Sequence, residues 1–200
     1  NCRLLEQLLS KQIMKGFIFT NFLDFVEKSN GLDMVDQMLG ESDLASEGVY
    51  SAFNSYEFEE LATLLTYVSN KTDIAPQVLL EAFGRFVFPY LIGKHSYIVE
   101  KYSNALDLLA GIESHIHIEV KKLYEDAELP TFSVAEKTQN SLTLIYSSSR
   151  GLTYFAIGLM RETLDFFKVK GEITMKENYN NNGSIKFDIH VENRVAIVVF

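Results

Sequence analysis

Apolar side chains recur at three- and four-residue spacing through most of the first 124 positions, the period of amphipathic helices. Asn1–Ile13 opens the pattern with Leu4, Leu5, Leu8 and Leu9. Phe17 to Val26 continues it, Asn30-Gly31 breaks it, and a second helix is predicted over Leu32–Leu39. Gly40–Ser55 is polar and reads as loop. Leu61, Leu64, Leu65 and Val68 place a helix over Glu57–Asn70. Ala75–Ile92, with Pro76 near a first-turn position, carries a wide apolar face from Leu79 to Leu91. Pro89 is expected to end or bend that helix. Ser103–Tyr124 reads as one long helix with the stripe Leu108, Leu109, Ile112, Ile116, Val120, Leu123.

Beyond Pro130 the period shortens to two. Thr131–Glu136 and Ser141–Tyr146 alternate as antiparallel strands around Lys137–Asn140, and Glu172–Lys176 and Lys186–Val191 do so around the turn Asn178–Gly183. A helix over Leu152–Phe167 lies between the two pairs. Helices first, then strands with one inserted helix, imply an α+β fold.

Composition narrows the picture. Two hundred residues suit one domain able to enclose a bound cofactor. A net charge of −9 with no basic stripe excludes nucleic acid and anionic membranes as general partners. Cys2 is the lone cysteine, which rules out an intrachain disulfide and fits a reducing cytoplasmic compartment. No apolar run reaches the roughly 20 residues that span a bilayer. Fifteen phenylalanines are enough to form a core or to line a pocket for a flat aromatic ligand.

The candidate chemistry lies in Tyr146-Ser147-Ser148-Ser149-Arg150. On a strand, alternation would put Tyr146, Ser148 and Arg150 on one face, two hydroxyls and a guanidinium suited to a pair of carboxylates. With His117 and Pro130 upstream, this run resembles the signature of the H-NOX (haem-NO-binding) family of gas sensor domains, to which the haem domain of soluble guanylate cyclase is related. The resemblance covers Met14 to about Val191. It implies an N-terminal helical subdomain, C-terminal helices packed with a small antiparallel sheet, and haem b buried between. Domain limits of 14–191 follow, with 1–13 as an extension, or an ordinary first helix, and 192–200 as a tail whose apolar end could form a strand.

Four histidines compete for the iron. His95 sits in a polar stretch and His190 on a late strand. His115 and His117 flank Ile116 by about 100° on either side of a helix, so periodicity alone does not choose between them. Family register does: the ligand stands thirteen residues before a proline that presses on the porphyrin and twenty-nine before the motif tyrosine. Those steps lead from His117 to Pro130 and Tyr146. The resemblance therefore implies His117 as the proximal iron ligand and Tyr146, Ser148 and Arg150 as partners of the haem propionates.

Oxygen-binding members of the family carry a distal tyrosine, tryptophan and asparagine. The matching positions here are Phe155, Phe22 and Val87, none a hydrogen-bond donor. Ile18, Leu91 and Leu159 fall at further pocket positions. An apolar distal side favours NO and CO over O₂, which needs a donor. The resemblance thus implies a cytoplasmic nitric-oxide sensor rather than an enzyme, of the bacterial stand-alone type. Its partner would be a histidine kinase or a diguanylate cyclase/phosphodiesterase. No structural zinc is expected, because Glu172–Val191 has no cysteine. The competing reading is a cofactor-free adaptor that binds a partner helix in a phenylalanine-rich groove.

Overall fold

The computed structural model describes residues 12–94, 96–179 and 183–192. The expectations placed on residues 1–11, on His95, on turn residues 180–182 and on 193–200 lie outside the described residues. Two compact units divide between Leu79 and Leu80.

In the first unit, strand β1 (Ile13–Lys15) pairs antiparallel with β2 (Ser55–Glu57). Neither was expected, because three residues are too few to display a period of two. Helices α1 (Gly16–Asn30), α2 (Leu32–Glu41) and α3 (Phe58–Thr72) outrun their predicted ranges by up to four residues at an end. They bury Phe19, Phe22 and Val26, Met38, and Leu61, Leu64 and Val68, spacings of three, four and seven. Gly31 ends α1 at φ +89°, a conformation that favours glycine, and returns its N–H to the Glu27 carbonyl at 2.8 Å.

The chain enters the second unit along α4 (Pro76–Lys94). This helix runs through Pro89, where an end or bend was expected. Pro89 is exposed beside buried Phe88, on the side where loss of one main-chain hydrogen bond to water-accessible backbone costs least. A short helix α5 (Ser96–Val99) follows.

The long helix expected over Ser103–Tyr124 is instead three pieces. They are α6 (Ala105–Ala110), a π-helical turn (Ile112–Ile116) and α7 (His117–Leu123). Asn104 caps α6: its side-chain oxygen accepts the Asp107 N–H at 2.9 Å, and its amide donates back to the Asp107 carboxylate at 2.6 Å. Lys137 also donates to that carboxylate. Asn104→Ala is expected to cost about 1 kcal/mol in chemical denaturation, the usual loss for a removed cap.

Four strands form one antiparallel sheet in the order β3 (Thr131–Lys137), β4 (Ser141–Ser147), β6 (Ser184–Val191), β5 (Gly171–Tyr179). The two expected hairpins are joined because β4 and β6 pair, with Leu142 opposite Ile189 and Leu144 opposite Phe187. Alternate residues of these central strands bury one face. Helix α8 (Thr153–Phe166) covers it with Ala156, Ile157, Met160 and Leu164, and α6 adds Leu106 and Leu109. Helices α4 and α8 approach closely where Gly84 and Gly158 stand. An added Cβ on Gly84 would lie 2.3 Å from the Phe155 carbonyl oxygen, and one on Gly158 2.1 Å from that of Glu81. Among the described residues, no helix is long and apolar enough to cross a membrane.

Candidate functional site

The π-helical turn decides which way His117 faces. The Ile116 N–H reaches back five residues to Gly111 at 3.3 Å, and the His117 N–H bonds Ile112. Such a turn holds one more residue than an α-helical turn and so shifts the phase of everything after it. The expected stripe follows suit. Leu108 and Leu109 are buried, Ile112, Ile116 and Val120 are half-buried, and Leu123 is 57% exposed. His117 is turned inward, its side chain 13% exposed. His115 is turned outward, its Nδ1 at 2.6 Å from the Tyr102 hydroxyl. The two histidines that a regular helix left equivalent are therefore distinct.

The His117 Nδ1 stands 3.1 Å from Glu113 Oε2. The same oxygen accepts the Phe132 N–H at 3.0 Å. Burial holds the His117 imidazole below its ordinary pKa, against the raising effect of the Glu113 carboxylate. A neutral ring is the form that donates a lone pair to a metal. The tautomer that makes this contact a hydrogen bond to a carboxylate acceptor is the one protonated at Nδ1. Glu113 was not anticipated from the sequence, although a carboxylate four residues before a histidine is a legible helical pair.

From His117 a row of rings leads into the sheet. Its imidazole centroid is 5.8 Å from that of Phe132, Phe132 is 5.1 Å from Tyr146, and Tyr146 is 5.7 Å from Phe187. Tyr146 is buried on the same face of β4 as Leu142 and Leu144. Ser148 and Arg150 lie beyond the end of that strand, in a bend, rather than on its continued face as alternation predicts. The bend still gathers the three groups. The Arg150 main-chain N–H donates to Ser148 Oγ at 3.2 Å, Ser148 hydrogen-bonds Tyr146, and the Arg150 charge acts on the Tyr146 hydroxyl. Burial raises the Tyr146 hydroxyl pKa, while Ser148 and the Arg150 charge oppose the shift. Burial also pulls the Arg150 guanidinium below its ordinary value, with Glu128 and Tyr146 acting the other way. Its side chain donates to the Glu128 carbonyl.

Ser148 and Arg150 border a cavity of about 300 Å³, lined also by Glu128, Leu129, Ser147, Ser149 and Gly183. Its donors suit an anionic group of carboxylate type. His117 does not line it. Pro130 is half-buried immediately before β3. On α4, Val87 is fully buried and Leu91 half-buried; on α8, Phe155 and Leu159 are half-buried. The Phe155 ring lies 5.3 Å from Phe83. Ile18 (half-buried) and Phe22 (buried) belong to the first unit. His190 is exposed on β6.

The donor set fits a haem. A neutral imidazole with a free Nε2 suits an iron atom, and a half-buried guanidinium with two hydroxyls suits two propionates.

The family model described as Haem-NO-binding matches residues 15–175. Three solved structures are similar to the chain. An Fe(II) unliganded H-NOX protein from K. algicida is 42% identical, with a TM-score of 0.86 over 91% of this chain and 98% of that one. An H-NOX protein from S. oneidensis in the Fe(II)NO ligation state is 29% identical, with a TM-score of 0.82 over 90% and 100%. The IWP-051-bound H-NOX from Shewanella woodyi in the Fe(II)CO ligation state is 32% identical, with a TM-score of 0.78 over 94% and 99%. A comparison with curated proteins finds no match.

Proposed function

The chain belongs to the haem-NO-binding (H-NOX) family, and on that footing we propose that it is a gas sensor binding nitric oxide and carbon monoxide at a ferrous haem b, with dioxygen excluded. Domains of this family bind haem and serve as sensors rather than catalysts. The observation that carries the reading is the inward imidazole of His117, its Nδ1 at 3.1 Å from Glu113 Oε2. Haem supplies the gas-binding iron. His117 would hold that iron, and Tyr146, Ser148 and Arg150 would hold the propionates. Burial disfavours the Arg150 charge, and two arriving carboxylates would offset that cost.

Gas choice follows from what the chain offers a bound diatomic. O₂ on ferrous iron draws negative charge and needs a hydrogen-bond donor, whereas NO and CO do not. Val87 and Phe155 have no side-chain donor. Pro130 would press on the porphyrin face. The relatives in Fe(II)NO and Fe(II)CO states support both gases as ligands. The signal would pass to a separate cytoplasmic protein, a histidine kinase or a diguanylate cyclase/phosphodiesterase.

An absorption spectrum of the reduced, haem-loaded protein tests the reading. The Soret band is expected to shift with NO and with CO and to stay in place in air before any oxidation. A protein that stays colourless after haem addition would sink it. Phe155→Tyr adds a donor worth about 1–2 kcal/mol, so O₂ affinity should rise about five- to thirtyfold in gas titration. No gain would count against the role of the missing donor.

A further inference from the structure

We infer that Glu113 is the positioning residue of the His117 imidazole, fixing Nδ1 as the protonated ring nitrogen and Nε2 as the donor toward iron. This rests on the haem reading above and deepens it. The bare alternative is an exposed helical Glu–His pair, worth a few tenths of a kcal/mol. Two features go beyond such a pair. Glu113 Oε2 is shared: it takes the His117 ring at 3.1 Å and the Phe132 main-chain N–H at 3.0 Å. The carboxylate is thereby anchored to β3, and it holds the ring from a second element of the fold. Glu113 also lies within the π-helical turn that rotates His117 inward, so the same five residues set both the ring's direction and its tautomer.

The chemical consequence concerns donor strength. A carboxylate accepting from Nδ1–H leaves more electron density on the imidazole and makes Nε2 a stronger ligand. A stronger donor at Nε2 would favour the ferric state of the iron and would slow loss of the haem from the protein. Glu113 would therefore set how firmly His117 holds the iron.

The test compares wild type, Glu113→Ala and Glu113→Gln as haem-loaded proteins. Resonance Raman spectra of the ferrous form read the iron–histidine stretch. Proton–nitrogen correlation spectra of the diamagnetic CO complex read the Nδ1–H directly. In Glu113→Ala the stretch should fall, the Nδ1–H should exchange faster, and the reduction potential should rise. Haem transfer to apomyoglobin should quicken about tenfold, the lower end of the usual effect of losing such a partner. Glu113→Gln keeps an acceptor without the charge, so it should fall between the two; it also decides the matter if the alanine variant does not fold. Haem bound through His117 with the same stretch, potential and Nδ1–H exchange in all three proteins overturns the assignment to Glu113 alone. A wild-type protein that takes up no haem overturns the underlying reading, and this inference with it.

Discussion

Replacing His117 by glycine is expected to strip the protein of most of its haem during purification. The loss should exceed the 10–100-fold typical of an outer partner, so affinity should drop by more than about 100-fold, or roughly 3 kcal/mol. The substitution leaves a hole where an inward, largely buried imidazole stood. Added imidazole should fill it and restore the Soret band. His115→Gly is the control, because that ring faces outward toward Tyr102 and should leave haem content unchanged. Equal haem content in His117→Gly and wild type, without imidazole, would remove the reading of His117 as ligand. Pyridine haemochrome assays of both variants give the answer.

The second large effect concerns stability. Gly158→Val should lower the thermal midpoint by about 10 °C, from a cost of about 3 kcal/mol or more. A side chain at 158 meets main-chain atoms of α4, with the Glu81 carbonyl oxygen 2.1 Å and the Arg85 nitrogen 3.0 Å from the new Cβ. Backbone cannot swing aside as a long side chain can, so the two helices must move apart. Gly84 meets α8 at the same crossing, through the Phe155 carbonyl and the Cα of Gly158. Adding Gly84→Ala to Gly158→Val should therefore cost less than the sum of the two, since one separation relieves both contacts. A midpoint within 2 °C of wild type in scanning calorimetry would show that the crossing is not rigid. Phe155 and Leu159 flank Gly158 on α8, so a variant that still folds should also show a disturbed haem spectrum.

The elements most legible in the sequence were the ones whose period ran unbroken. α3, α4 and α8 each carry apolar residues at three- and four-spacing, and β4 and β6 alternate cleanly, so their existence and type followed directly. The pairing of β4 with β6 did not follow, because alternation fixes which face is buried and not which strand lies alongside. The region around the histidines reads in sequence as one helix, and the structure breaks it in three. Gly111 marked a break there, but an inserted residue leaves no compositional trace, and the stripe Ile112, Ile116, Val120 kept its α spacing while the backbone departed from it. His117 was singled out by family register, since a regular helix gave no basis for preferring it. Gly84 and Gly158 carry a weaker signal of the same kind. A glycine inside a helical pattern costs up to about 1 kcal/mol against alanine, and that cost points to a close approach. Ser148 and Arg150 were grouped with Tyr146 by an alternation that stops at Ser147, and a bend assembles them instead.

The five-residue turn ahead of His117 has a consequence for how this segment can vary. Substitutions there keep the phase. Deleting a single position, Ser114 for example, would let the backbone relax into ordinary α-helical bonding and would improve its local regularity. With that residue gone, the His117 N–H would bond Ile112 as an ordinary α-helical pair, so the ring and every later side chain would keep their directions. Length is therefore guarded on either side of the turn, where the bonding is already α-helical, and not within it. A residue lost from α7 would turn every side chain after it by about 100°, whereas the turn before it holds a residue it can give up.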